Sequence, residues 1–181
     1  MQEKSRILKK INSECFGGSE NQLRLLLKNL PDLRLPSMER VVGLTLDQIS
    51  VAYPLSYIEG KHVLHDTVNG VSFVILFNRD RSSPFPGGKG KERRMIGSTG
   101  VFKATLGVRN LKLSLKNGEF RDATTNSTWN IFGEAIQGSL AGEQLTPISH
   151  GTYFWFAWAA HNPNTIIRGA IANWPPRLRS P

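Results

Sequence analysis

The chain has 181 residues, the length of one medium domain, and its 23 Lys and Arg against 14 Asp and Glu give a formal net charge of +9. Hydrophobic residues make up 39% and charged residues 20%, and no apolar run reaches the ~20 residues that span a bilayer, which excludes a disordered chain and a membrane-spanning helix. The single cysteine, Cys15, excludes an intramolecular disulfide, and no Cys/His spacing fits zinc. The 17 glycines and 10 prolines favour a turn-rich fold.

The N-terminal segment predicts a short helical arm. Ile7, Leu8 and Ile11 lie at one-turn spacing, and a leucine-rich run then ends at Pro31, which cannot continue a helix. The charged start is not followed by the apolar core of a secretory signal, so the chain as written is expected to be cytoplasmic. We predict a helical arm over 1–35, a β-rich domain over 36–172 and a flexible tail over 173–181.

From residue 38 onward, β-branched runs separated by turn signals predict strands. Asn69-Gly70 and Asn117-Gly118 each lie between apolar runs and predict tight hairpins. The fold class is therefore mainly β (α+β), a curved antiparallel sheet or partial barrel with long loops and the short helical arm. The run Phe154–Ala160 is either a buried strand or a short helix, because seven residues show no decisive period. Predicted strands are 40–46, 48–53, 62–68, 71–77, 93–96, 101–105, 111–115 and 119–121.

A basic segment, Arg79–Arg94, carries six cations and two acids, or about +4 of the net charge. Its Pro and Gly content predicts an exposed loop, which is either a solvated connection or a phosphate-binding or nucleic-acid-binding surface. Nucleic acid is the less favoured partner, since only Phe85 is available for stacking. The candidate anion-binding residues are Arg79, Arg81, Lys89, Lys91, Arg93 and Arg94.

Acid–base chemistry has two candidate residues. His150 precedes Gly151 and changes charge near neutral pH, and Asp66 lies beside His65. A hydrolase-like or metal-assisted enzyme would use His150 or Asp66, but no G-x-S-x-G nucleophile elbow is present. On a strand, His62 and His65 would face opposite ways, so no shared metal site and no cofactor are predicted.

The densest polar cluster runs from Arg121 to Asn130, where short oxygen-bearing side chains can build a compact turn anchored by Trp129. The functional alternative is a pocket with a polar floor, tryptophan walls and His150 beside it, because binding sites combine apolar walls with a few polar groups. We therefore predict a ligand-binding or partner-binding module whose ligand, a small molecule or a protein, is unspecified. The candidate binding residues are Asp122, Ser127, Trp129, Asn130, His150, Trp155 and Trp158.

Several blocks resemble an uncharacterised prokaryotic family of unknown function. The segment from Asp122 to Gly142 is similar to the family pattern D-x-x-T-x-S-x-W-N-x-x-G-x-A-x-x-G-x-L-x-G. The resemblance extends over about 38–167. The other matching blocks are 53–56, 65–71, 97–102 and 150–160.

The resemblance implies a fold but no established activity. Many relatives carry Cys-Pro-x-Cys after the strand that here ends at Phe77, whereas this chain has Asn78-Arg79-Asp80. It therefore resembles a cysteine-free branch, and thiol chemistry does not carry over to it. Relatives are often exported or lipid-anchored, in contrast to the cytoplasmic location expected here.

Overall fold

A computed structural model describes residues 32–79 and 97–169, which divide between two compact units. The first unit contains residues 32–43, 50–55 and 151–169, and the second contains 44–49, 56–79 and 97–150. Strands dominate and helices are few, so the mainly β prediction is confirmed. Almost all of the predicted arm and the whole predicted tail lie outside the described residues.

The described elements are short strands joined by tight turns. In chain order the strands are β1 (Arg40–Leu46), β2 (Ile49–Pro54), β3 (Val63–Val68), β4 (Val71–Asn78), β5 (Ser98–Lys103), β6 (Thr105–Leu106), β7 (Arg109–Asn110), β8 (Leu113–Lys116), β9 (Glu119–Asp122), β10 (Thr128–Trp129), β11 (Ala135–Gln137), β12 (His150–Phe154) and β13 (Ile166–Ile167). The helices are α1 (Leu55–Glu59) and α2 (Trp155–His161). Every predicted strand in the described ranges is present: 40–46 has the predicted bounds, 101–105 is divided between β5 and β6, and the others have shifted ends. The predicted strand 93–96 lies outside the described residues.

The first unit contains most residues of the four-stranded sheet with strand order β12-β1-β2-β13, in which β13 runs parallel to β2. Helix α2 follows β12 directly and contributes Trp155, Trp158 and Ala159 to a core with Leu35, Val41 and Ala52. The ambiguous aromatic run is thus a helix after Phe154, whose backbone is still extended. No helix in the described ranges has the length and apolar character needed to cross a membrane.

Trp158 packs directly on the backbone of β1. A Cβ atom placed on Gly43 would lie 2.5 Å from two carbons of the Trp158 ring, so only glycine permits this approach. The indole Nε1 of Trp158 donates to Thr165 Oγ1 at 3.0 Å, and both residues are buried. The tryptophan therefore combines close packing with a satisfied polar atom, as buried indoles require.

The second unit contains the antiparallel sheets β3-β4-β5, β8-β9-β10-β11 and β6-β7. Both predicted Asn-Gly hairpins are confirmed: Val68 pairs with Val71, and Lys116 pairs with Glu119. In each turn the Asn and the Gly have positive φ, 49° and 75° in the first and 51° and 81° in the second. Positive φ at both central residues is what a two-residue hairpin with the native strand twist requires.

The core of the second unit lies between these sheets. Strand β4 is central in its sheet, and its residues from Phe73 to Phe77 are at most 1% exposed, so both of its faces are covered. None of the sheets formed by the described residues closes into a barrel. The core cluster contains Val74, Leu76, Phe102, Leu111, Leu113, Phe120, Trp129, Ala135, Leu140 and Leu145.

We expect Gly43→Ala to destabilise the protein by about 1–3 kcal/mol, because the added methyl group would overlap the Trp158 ring. Gly60→Ala is the matched control, since its Cβ would meet only the Tyr57 carbonyl oxygen at 3.8 Å. Chemical denaturation of the two variants measures the difference. Equal stabilities would show that Trp158 does not pack on Gly43.

Candidate functional site

The loop after β9 is built around the carboxylate of Asp122. Its Oδ1 accepts hydrogen bonds from the backbone N–H groups of Thr124 at 2.9 Å and Thr125 at 2.8 Å. Its Oδ2 accepts from the Thr125 hydroxyl and from the Ser127 N–H at 3.2 Å. The sequence interpretation of a compact Asx/ST turn is confirmed. Asp122 is only 1% exposed, so its carboxylate is enclosed by the loop residues that donate hydrogen bonds to it.

These donors also determine the charge state of the carboxylate. Burial by itself raises the pKa of Asp122, but the hydrogen bonds from Thr125, Thr124 and Ser127 together outweigh it and hold that pKa below its ordinary value of 3.8. The group is therefore ionised at neutral pH. A buried charge of this kind stabilises the loop only while all of its donors are in place.

Ser127 joins this loop to the turn that follows β11. Its Oγ lies 2.8 Å from Thr125 Oγ1 and accepts the Leu140 N–H at 3.2 Å. A Cβ on Gly138, where φ is +100°, would lie 2.6 Å from the same oxygen, so the turn approaches Ser127 more closely than a side chain would allow. Ser127 is fully buried, and its hydroxyl therefore links two loops.

Trp129 belongs to the core of the second unit. It is 2% exposed and packs in the core cluster with Leu111 and Leu140, which confirms the prediction that its ring is a core element. Strand β10 pairs with β9 on one side and with β11 on the other, with a register shift between Thr128 and Trp129. The indole Nε1 is buried and has no hydrogen-bond acceptor among the described residues.

The two loops form one wall of a surface cleft of about 700 Å³. Thr124 and Thr125 come from the Asp122 loop, and Ser139 and Leu140 come from the turn that Ser127 holds. The buried hydrogen bonds thus position side chains that line the cleft. Its lining residues are Arg109, Asn110, Leu111, Thr124, Thr125, Ser139 and Leu140.

A second cleft of about 720 Å³ adjoins the first, because Asn110 and Leu111 line both. Backbone hydrogen bonds from Leu111 N–H to the Ala104 carbonyl (2.8 Å) and from Ala104 N–H to the Ser72 carbonyl (2.9 Å) hold its floor. The second cleft is lined by His65, Asp66, Thr67, Ser72, Phe73, Ala104, Asn110, Leu111, Lys112 and Leu113. We call the residues that line the two clefts the Asn110 groove.

His65 links strand β3 to strand β8 through a hydrogen bond, and both partners line the second cleft. Its Nε2 lies 3.1 Å from the Leu113 nitrogen and 3.0 Å from the Leu113 oxygen, so it accepts from the N–H in one tautomer and donates to the carbonyl in the other. Beside it, Asp66 Oδ1 accepts the Thr67 N–H at 2.7 Å, and the Thr67 hydroxyl lies 3.0 Å from that of Ser72. Asp66, a predicted acid–base residue, therefore belongs to the groove.

The other predicted site residues occupy separate places. His150 Nδ1 lies 2.8 Å from the Ile148 carbonyl and Nε2 lies 3.4 Å from the Thr99 carbonyl, so whichever nitrogen carries the proton donates to a main-chain oxygen. Asn130 closes a turn, accepting the N–H groups of Phe132 and Glu134 on its Oδ1.

The predicted pocket draws on both units. Asp122, Ser127, Trp129, Asn130 and His150 belong to the second unit, whereas Trp155 and Trp158 belong to the first. Their participation in one pocket stays a prediction.

Of the predicted anion-binding residues, only Arg79 is described. Its side chain is 65% exposed and its Nη2 lies 3.7 Å from Glu59 Oε2. The remainder of the basic segment lies outside the described residues, so its phosphate-binding role stays a prediction. Within residues 32–79 and 97–169, no group of three or more His, Cys, Asp or Glu side chains could hold a metal ion.

The sequence interpretation missed the exposed lining of the first cleft. Arg109 and Asn110 form the short strand β7, which carries no motif, and Thr124 and Ser139 stand at unspecified positions of the family pattern. The one signal available from the sequence was the compact turn predicted over Arg121–Asn130, which contains Thr124, because turn residues present their neighbours to solvent.

The model of the family "Protein of unknown function (DUF3179)" matches residues 2–165. The chain belongs to the DUF3179 family. The family resemblance inferred from the sequence is thus confirmed, and the match begins at residue 2 rather than near residue 38. No curated protein and no solved structure matches this DUF3179 chain significantly. Family membership therefore brings no activity with it.

We expect Asp122→Asn to lower the free energy of unfolding by about 1.5–3 kcal/mol at pH 7, because hydrogen bonds to a charged acceptor are lost. The pKa of Asp122 is lowered by folding, so its contribution is complete above the unfolded value near 3.8 and disappears as the pH falls through the folded value. Urea titrations at several pH values should show the difference in unfolding free energy between wild type and Asp122→Asn shrinking as the pH falls through the folded pKa of Asp122.

Glu119→Gln provides the control for this pH series, since Glu119 forms only an exposed pair with Arg121 on the same strand. Its stability difference from wild type should stay within about 1 kcal/mol. A difference between Asp122→Asn and wild type that persists unchanged at low pH would contradict the assigned charge state.

We expect Trp129→Ala to cost about 3–5 kcal/mol, as removal of a buried indole leaves a cavity in the core. Trp129→Phe should cost less, since it keeps an aromatic ring and removes an N–H that has no acceptor among the described residues. Thermal unfolding of both variants provides the comparison. An unchanged melting temperature for Trp129→Ala would contradict the core assignment.

Proposed function

We propose that this DUF3179 protein is a ligand-binding module and that its second unit binds a small polar molecule in the Asn110 groove. The observation that carries the proposal is the construction of the groove wall. A buried carboxylate and a buried hydroxyl hold two loops together, and Thr124 and Ser139 stand at the surface of those loops. Binding sites need such pre-organised walls, because ordering a loose wall would weaken affinity.

The chemistry of the lining supports the same proposal. Leu111 and Leu140 supply an apolar floor, and both are at least 90% buried by the core beneath. Above them, the side chains of Arg109, Asn110 and Ser139 make no hydrogen bond or ion pair with another described residue. An apolar floor with a few uncommitted polar groups is the usual composition of a small-molecule site.

The enzymatic alternative is favoured at Asp66 over His150. Asp66 lines the groove together with His65, whereas both ring nitrogens of His150 face main-chain carbonyl oxygens. Under this alternative, Asp66 would accept a proton from the bound molecule. Asp66→Asn would then abolish turnover of the bound molecule and leave its affinity nearly unchanged. If the affinity were lost as well, Asp66 would have a role in binding.

The test begins with the protein purified gently from its expression host and examined by native mass spectrometry for a bound small molecule. We expect Ser139→Trp to eliminate the bound mass or to weaken binding about tenfold or more, because the indole would fill the first cleft. Lys116→Trp is the control, since Lys116 is also exposed in the second unit but does not line the groove.

The same two variants decide the outcome in a thermal-shift screen of metabolites. A compound that raises the melting temperature of wild type and Lys116→Trp but not of Ser139→Trp would support the groove as the site. A bound mass retained in Ser139→Trp would overturn it, as would the absence of any compound that stabilises the wild type.

A further inference from the structure

We infer that the ligand of the Asn110 groove carries an anionic oxygen group, a carboxylate or a phosphate, and that this group binds at Arg109. The inference rests on the proposed function and adds the chemical class and the orientation of the ligand. It uses no residue of the basic segment 79–94, since the residues it names lie in 65–73 and 104–140.

The first cleft has the polarity that an anion requires. Among the residues that the structure describes, its lining contains one cation, Arg109, and no acidic residue. The guanidinium is exposed and makes no ion pair or hydrogen bond with any residue in the described ranges. A free guanidinium presents paired N–H donors whose geometry matches the two oxygens of a carboxylate or phosphate.

Neutral donors line the same cleft. The Asn110 amide and the hydroxyls of Thr124 and Ser139 are side-chain groups without partners among the described residues. The Thr125 hydroxyl differs, because it already donates to Asp122. Three free neutral donors beside one guanidinium could bind the several lone pairs of an oxyanion.

The buried carboxylate behind the wall does not contact the cleft. Asp122 accepts the N–H groups of Thr124, Thr125 and Ser127 and the Thr125 hydroxyl, and it is 1% exposed. Its negative charge is therefore stabilised by donors within the loop and does not line the cleft. Within the described lining of the first cleft, Arg109 is the one charged side chain that a ligand would contact.

The second cleft has a mixed lining that suits the uncharged part of the ligand. Asp66 and Lys112 have opposite charges, and the hydroxyls of Thr67 and Ser72 lie 3.0 Å apart. A second anionic group would meet the carboxylate of Asp66 there, whereas ligand hydroxyls could hydrogen-bond to it and to the Thr67–Ser72 pair. The ligand is thus oriented with its acidic group at Arg109 and its hydroxylated part toward Thr67.

Three probes that share one pyranose ring separate charge from shape: glucose, glucuronate and glucose 6-phosphate. Their binding to the full-length chain is measured by isothermal titration calorimetry and by backbone amide shifts. We expect one or both anionic probes to bind about tenfold or more tightly than glucose, since a hydrogen bond to a charged group adds that much. The stronger of the two identifies phosphate or carboxylate as the preferred group.

Arg109→Gln should remove the preference for the anionic probes, and Arg109→Lys should retain part of it, because the charge remains without the paired donors. Lys116→Gln is the matched control, an exposed cation of the same unit outside the groove, and it should leave the preference unchanged. Because Arg109 is exposed, these variants should fold normally.

The outcomes separate this inference from the proposed function. Equal binding of the three probes, no binding of any of them, or an anion preference that survives Arg109→Gln would overturn the inference. The proposed function would still stand if Ser139→Trp blocked a neutral ligand found bound to the purified protein. If Ser139→Trp had no effect on any bound molecule, the proposed function itself would fail.

Discussion

The interaction on which the candidate site depends is the hydrogen bonding of the Asp122 carboxylate. Four donors from Thr124, Thr125 and Ser127 converge on its two oxygens, and Ser127 then accepts the Leu140 N–H with its own hydroxyl. Without the carboxylate, three buried or half-buried N–H groups would lose their acceptor, and two loops would lose their common anchor. The shape of the first cleft follows from this arrangement, since those loops form its wall.

The segment between Asp122 and Gly142 therefore contains two kinds of position. Asp122, Ser127 and Trp129 are buried, and they hold or support the loops. Thr124 and Ser139 occupy unspecified positions of the pattern and line the groove. In the proposed binding module, the buried positions hold the loops, and the exposed positions beside them would determine which molecule binds.

Local chemistry made much of the fold predictable. Asn69-Gly70 and Asn117-Gly118 form hairpins because Asn and Gly tolerate positive φ, which is a property of the residues themselves. The aromatic run after residue 153 could not be assigned in this way. Its helix begins at Trp155, where the backbone N–H bonds to the Glu39 carbonyl and the indole bonds to the Asp32 carbonyl. Those partners lie more than a hundred positions away in sequence, beyond the reach of any periodicity argument.

The sequence by itself determined the mainly β fold, both hairpins, the compact polar turn at Asp122 and the family, because each depends on residue types close together in the chain. Only the tertiary structure decided where a groove lies and what lines it. His65 meets Leu113 across 48 positions, and Ser127 meets Leu140 across 13. Asn110 lines both clefts because residues 124–140 lie on one side of it and strands β3 and β4 on the other. Such contacts depend on how distant segments pack, and sequence spacing does not encode that packing.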